Sequence, residues 1–349
     1  MAMTRRERVD LPLVAIMNTG PNLLTDPILA VHAHFMFNHI SQFAKEISDK
    51  FRFASFWVNI SQIEQVLRSS PIPDLVINNV ASGEVASDPE ISPQLDKCIG
   101  YWQKYCINKP ENVRATARDH QAAALSGSKR LIAPKTQYFK AADDIDVIID
   151  KIESEFDYPV ILRAPFFQDG GDMHLVESRD RAIELIPQLQ PGFFAIEFIK
   201  NTHQNDMYRK MRGVFIEDEF FMVRVDYGPD WMIHGHRNKP HRIDFYNENP
   251  QYLEEEIAIC KDPAREFGKP VMRAFRELRS IVKLDYFGVD FDITDDGKLI
   301  VYEANAAMNF LSKSGLVHPH PEEAGHALTE SFTKFLMSRI DRPKMAMTR

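Results

Sequence analysis

Gly288-Val-Asp-Phe-Asp-Ile-Thr-Asp-Asp-Gly-Lys-Leu-Ile-Val-Tyr-Glu-Ala-Asn305 reads as two strands joined at Asp296-Gly297, with acids alternating against apolar residues at the period of a half-buried strand. A two-residue type I′ turn there would set Asp290 opposite Glu303, with Asn305 two residues further along the same face. Val289, Phe291, Ile293, Ile300 and Tyr302 would then share the other face and pack on a core, leaving oxygen donors on the first. A three-residue turn with a bulge at Gly297 would move that register by one. Donors of oxygen alone suit Mg²⁺ or Mn²⁺ and not zinc. Two plainer readings stay open. Asp292-x-Thr294-x-Asp296-Gly297-x₅-Glu303 follows most of a calcium-loop spacing, although its flanks are strand-like where that loop needs helices. A hairpin with merely solvated acids is the other, although Glu303-Ala-Asn305 runs straight into the apolar stretch Ala306 to Leu311.

Working outward, Pro159-Val-Ile-Leu-Arg-Ala-Pro165 is an apolar strand ending in Arg163, followed by Phe166-Phe-Gln-Asp-Gly-Gly-Asp172 and a return strand from Met173 to Glu177. Ala195-Ile-Glu-Phe-Ile199 is a further strand. Tyr208-Arg-Lys-Met-Arg-Gly-Val-Phe-Ile216 and Phe221-Met-Val-Arg-Val225 follow, and Ala117-Arg-Asp-His-Gln-Ala-Ala-Ala-Leu125 lies upstream; these resemble, in turn, a pair of strands and a preceding helix of a known family. Taken in this order with the hairpin, the motifs resemble the ATP-grasp superfamily over roughly residues 75 to 338. The resemblance implies an α/β (α+β) chain, an ATP-grasp fold with a preceding Rossmann-like N-terminal domain. It divides the chain into 1–108 (Rossmann-like), 109–192 (the small grasp subdomain with a phosphate lid) and 193–349 (the subdomain with the metal site).

The same resemblance assigns roles. Asp290, Glu303 and Asn305 would hold Mg²⁺ (or Mn²⁺) on the ATP phosphates. Arg163 stands where the family usually has lysine, and Arg118 is the nearest cation to a second missing lysine, with a helix-surface role equally open. Gly170 and Gly171 would close the lid, Glu197, Phe198 and Ile199 would meet the adenine, and Arg212 and Arg224 would serve phosphoryl transfer. His234, His236 and Arg237 would contact substrate. The lid is poorer in glycine than usual, and Ala306-Ala-Met308 replaces the usual Pro-Gly pair after Asn305. The implied activity is ADP-forming activation of a carboxylate as an acyl phosphate and its joining to an amine of a small-molecule or peptide substrate. The alternatives are a kinase-type phosphotransferase and a non-enzymatic nucleotide- or calcium-binding module.

Composition agrees with a soluble enzyme of two or three units: 349 residues, 26% charged, 44% hydrophobic, net charge −8 and mean hydropathy −0.31. An acidic balance argues against nucleic acid as a partner. No run of 18 apolar residues exists and no apolar stretch follows the basic start, so neither a membrane span nor a secretory signal is expected and the expected compartment is the cytoplasm, with a homodimer left open. Cys98, Cys106 and Cys260 are odd in number and lack metal-site spacing, which fits a reducing compartment.

Short apolar strands at Leu13 to Met17, Phe53 to Val58 and Leu75 to Val80 make a βαβαβ opening, whose first crossover helix would bury Met36, Ile40, Phe43 and Ile47. His32, His34 and His39 lack the spacing of a helical zinc pair. The loop Val80 to Pro89 sits at the carboxyl end of a parallel strand, where open α/β sheets place ligands. A helix from Ala141 to Phe156 would pack on a sheet through Ile145, Ile148, Ile152 and Phe156, and the triplet Arg273, Arg276 and Arg279 reads as a solvated helix face.

Overall fold

The computed structural model describes residues 11–19, 47–60, 62–80, 82–140, 143–165, 173–189, 191–233, 242–308 and 320–340. The first of its three sheets begins with β1 (Leu13–Asn18) and β2 (Arg52–Trp57), continues through α1 (Ile63–Ser69), β3 (Leu75–Asn78), α2 (Gly83–Ser87) and α3 (Ser92–Trp102), and ends at β4 (Cys106–Ile107). Its order is β2-β1-β3-β4 and every pairing is parallel. Continuous apolar runs form β1 and β3 because both of their faces are covered. Of the expected first crossover helix, only Ile47 falls among the described residues, and it is buried.

Next come α4 (Pro110–Arg114), α5 (Arg118–Leu125), β5 (Leu131–Ile132), β6 (Thr136–Lys140), α6 (Ile145–Glu155), β7 (Val160–Arg163), β8 (Met173–Val176), α7 (Arg179–Leu185) and β9 (Gly192–Glu197). The second sheet is antiparallel, ordered β6-β9-β7-β8. The Asp144 carboxylate caps α6 by accepting from the backbone N–H groups of Asp146 and Val147 at 2.9 and 3.4 Å, so the helix starts later than its periodicity predicts. Ile148, Ile152 and Phe156 are buried on this sheet as the stripe predicts.

The third sheet takes β10 (Tyr208–Ile216), β11 (Glu219–Gly228), β12 (Tyr286–Ile293) and β13 (Leu299–Asn305) and is ordered β11-β10-β12-β13-β5; α8 (Arg242–Glu248), α9 (Pro250–Lys261), α10 (Pro263–Ile281) and α11 (His320–Ile340) complete the described elements. β9 straddles the expected 192/193 boundary, and β5, expected in the small subdomain, pairs with β13 in the third sheet. Burial accounts for both: β9 runs inside the second sheet between β6 and β7 with Gly192 to Ala195 buried, and the two-residue β5 closes the edge of the third sheet with Leu131 buried. α11 likewise ties distant parts together, packing Leu328, Phe332, Phe335 and Leu336 with Val14, Ile16, Leu75 and Ile77 of the first sheet and Val214, Ile216 and Tyr286 of the third.

The β12–β13 hairpin also differs from expectation. Its turn spans three residues, with Gly297 at φ +77°, and near the turn Phe291 pairs with Val301 and Ile293 with Leu299. A second irregularity between Asp290 and Phe291 restores the other register, so Asp290 still faces Glu303 and Gly288 faces Asn305. Between the two shifts, residues change sides. Ile300 pairs with Asp292 instead of joining the apolar face, and that face takes Leu299, Val301 and Ala304 with Val289 and Phe291. Tyr302 also leaves it: burial and then the Asp292 charge push its phenol pKa up. The hairpin is strand-flanked and Asp292 is wholly buried, which removes the calcium-loop reading.

Two smaller corrections follow. The expected loop after β3 contains α2, capped by Ser82 Oγ accepting from Val85 N–H at 3.4 Å. Arg273 and Arg276 are exposed as expected, but Arg279 donates to the carbonyls of Glu217 and Val282 at 2.5 and 3.0 Å. No helix among the described residues is long and apolar enough to cross a membrane.

Candidate active site

Register places four charged residues in one row across the third sheet. On β10, Arg212 pairs with Arg224 of β11 on one side and with Asp290 of β12 on the other, and Asp290 in turn pairs with Glu303 of β13. Paired residues on adjacent strands project to the same face, so two cations and two anions lie side by side. Arg212 grips Asp290 in a two-pronged ion pair, Nε to Oδ1 at 2.6 Å and Nη2 to Oδ2 at 2.8 Å. Lys210, two residues back and on the same face, puts Nζ 3.5 Å from Asp290 Oδ2, and Arg224 Nε lies 2.9 Å from Asp226 Oδ2.

Glu303 is met from the other side. Its Oε1 accepts from Arg118 Nη2 at 2.8 Å and from Asn305 Nδ2 at 3.0 Å. Arg118, the first residue of α5, is therefore not a helix-surface arginine. Glu84 of α2 orients it: Glu84 Oε1 accepts the Arg118 backbone N–H at 2.9 Å and lies 3.8 Å from its Nε. That junction requires glycine at 83, since a Cβ there would fall 2.0 Å from the backbone nitrogen of Ala117. Gln121, one turn along α5, exchanges hydrogen bonds with the backbone of Ala304 at 2.9 and 3.0 Å, fixing β13 beneath the site.

Charge balance shifts the acids in a defined direction. Burial pushes the Asp290 carboxyl up, but the charges of Arg212 and Lys210 and the Arg212 hydrogen bonds outweigh it, and Asp290 is held well below the usual carboxylate range. For Glu303, burial is opposed by Arg118 and then Arg163, and the net displacement is again downward. Arg163, the last residue of β7 and only 7% exposed, thus acts on the same carboxylate from the second sheet. Both pKa values are depressed by folding, so the stability they contribute is present above the unfolded-chain value, about 4, and is lost as pH falls through the folded values. The melting temperature should hold between pH of about 7 and 5 and drop steeply below about 4. Thermal scans across that range check this, and a melting temperature that rises on acidification would contradict it.

The donor set fits a hard divalent cation through two carboxylates on adjacent strands. The amide of Asn305 is turned so that its nitrogen meets Glu303 while its Oδ1 accepts from Ala307 N–H at 3.2 Å; ligation through Oδ1 would require an amide flip. Among the described residues no group of three or more His, Cys, Asp or Glu side chains is spaced to hold a metal, so the set here is two acids and an amide.

On the second sheet, β9 ends at Glu197, with Phe198 and Ile199 half-buried after it and the Phe198 ring 6.0 Å from that of Trp231 in an edge-on arrangement. Glu197 joins the two chain passages between the second and third sheets, since its N–H donates to the Lys135 carbonyl at 2.8 Å and its Oε2 accepts the Lys135 N–H at 3.0 Å. Gly170, Gly171, His234, His236 and Arg237 lie outside the described residues. The sequence reading missed Glu84, Gln121 and Lys210 as members of the site. Lys210 carried a signal, being two residues from Arg212 on one strand face, and Glu84 lies in the loop Val80 to Pro89 at the carboxyl end of a parallel strand; Gln121 carried none.

No family model and no curated protein matches the sequence. Solved structures match the fold over nearly its whole length. The VanG D-Ala:D-Ser ligase of Enterococcus faecalis is 14% identical at a TM-score of 0.54, covering 94% of this chain and 99% of that one. An N5-carboxyaminoimidazole synthase from Aspergillus clavatus, solved with ADP and 5-aminoimidazole ribonucleotide, is 14% identical at 0.53 and covers 96% and 78%. A RimK-domain ATP-grasp protein from Sphaerobacter thermophilus is 13% identical at 0.51, covering 93% and 99%. At such identities the likeness speaks for architecture.

Proposed function

The chain has the ATP-grasp fold, and from that premise we propose that it is an ATP-dependent ligase that activates a carboxylate as an acyl phosphate and joins it to an amine, releasing ADP. The observation that carries the reading is the charge row: Asp290 is paired with Arg212 and Glu303 with Arg118, and the charge of Arg163 on the second sheet also holds the Glu303 carboxyl down. Phosphoryl transfer needs little covalent help and depends on in-line positioning with cations spread over the transferred group. Arg212 and Arg118, now spent on the two acids, are the side chains placed to turn toward phosphate oxygens. Asp290 and Glu303 would hold Mg²⁺ or Mn²⁺, which when bound neutralises charge developing on those oxygens. Glu84 keeps Arg118 oriented by holding both its backbone N–H and its side chain.

Incubating the protein with ATP, Mg²⁺ and a library of amino acids, short peptides and polyamines, and following nucleotide and product mass, tests the reading. ADP with a condensed product is expected. AMP would point to adenylation, a product heavier by one phosphate would make it a phosphotransferase, and binding without turnover across the library would leave a nucleotide-sensing module.

A further inference from the structure

Asp292, two residues along β12 from Asp290, is wholly buried and takes no part in the charge row. Its carboxylate meets three polar groups. Oδ2 accepts from Asn201 Nδ2 at 2.6 Å and lies 2.8 Å from His203 Nε2, while Oδ1 accepts from Arg209 Nε at 2.9 Å. All three partners come from one stretch, 201–209, which carries the chain from β9 to β10 and so from the second sheet to the third. That stretch is folded tightly on itself: Thr202 bridges Tyr208, His203 N–H donates to the Met207 carbonyl at 2.8 Å, and Asn205 and Asp206 sit at φ +59° and +55°. Arg209 also reaches Glu255 Oε1 of α9 at 3.0 Å, and Tyr252 Oη donates to the Gln204 carbonyl at 3.0 Å.

A carboxylate removed from water is costly unless hydrogen-bonded and paired, so this one makes a stiff joint only while its partners stay in place. The joint begins at Asn201, two residues after Ile199, and beside it Glu197 is bonded to Lys135 in the other passage between the sheets. We propose that Asp292 is a positioning residue for the nucleotide: by clamping 201–209 to the hairpin it fixes the adenine-side hinge against the Asp290 and Glu303 face, without touching the ligand. The inference rests on the nucleotide reading above and adds a residue to it.

The test compares two probes. ATP engages both the hinge and the phosphate end, whereas inorganic tripolyphosphate engages only the latter. In Asp292→Asn the dissociation constant for ATP should rise about tenfold, the loss of one charge-assisted hydrogen-bond set, while that for tripolyphosphate stays within about twofold. Hydrogen exchange at 198–207 should speed up in the same variant. Asn201→Ala, which leaves the Asp292–Arg209 pair intact, should give a smaller change in the same direction and serves if Asp292→Asn does not fold. Equal weakening of both probes would make Asp292 a general structural residue and overturn the proposal, as would unchanged ATP affinity and exchange. If the unmodified protein binds tripolyphosphate but not ATP, or neither, the nucleotide reading itself fails, and this inference with it.

Discussion

Glu303→Gln should abolish ATP turnover, by at least about 10²-fold, in a protein that still folds. The substitution keeps shape and removes charge from a carboxylate placed directly opposite Asp290. Its partner Arg118 is not stranded, because Glu84 still holds it. Asp290→Asn should be equally inactive but cannot be assumed neutral for the fold. It leaves the largely covered guanidinium of Arg212 without its two-pronged partner, and breaking such a pair from one side costs up to about 3–5 kcal/mol, the figure for a fully buried one. The untouched apolar face of the hairpin does not compensate for that. Activity assays with melting temperatures separate the two effects, and full turnover by Glu303→Gln would remove the hairpin from the chemistry.

Arg163→Ala should weaken ATP binding by about 1.5–3 kcal/mol, as for a hydrogen bond to a charged group. Arg163 is buried at the end of β7 and its charge helps hold Glu303 deprotonated, so its loss should also raise the Glu303 pKa. Arg163→Lys restores the charge without the planar fork and should recover only part of the affinity. Titration calorimetry with ATP and Mg²⁺ reads the difference, and unchanged affinity would make Arg163 a structural ion of the sheet.

Particular residues show what could be read early. The alternation in 288–305 and the apolar runs at Leu13 and Leu75 are local properties of the chain, and the strands form there. Arg163 could be picked because it ends an apolar strand with a charge, whereas Arg212 was legible only through the order of motifs that carries the resemblance. The facing of Asp290 and Glu303 also held, but for a reason no local pattern contains: a three-residue turn shifts the register and a second irregularity shifts it back. Ile300, between the two, consequently pairs with Asp292 and lies off the apolar face that its alternation predicts.

By itself the sequence determined periodicity, hence which segments are strands or helices, and it determined the order of motifs that selects the fold. Only the tertiary structure decided which charges meet. Arg118 reaches Glu303 across 185 positions and Glu84 across 34, and Asp292 gathers partners 83 to 91 positions away. The physical reason is that alternation along a strand is written in two neighbouring residues, whereas an ion pair in a buried face depends on sheet order, bulges and the close backbone approach at Gly83, which are set by the packing of the whole chain.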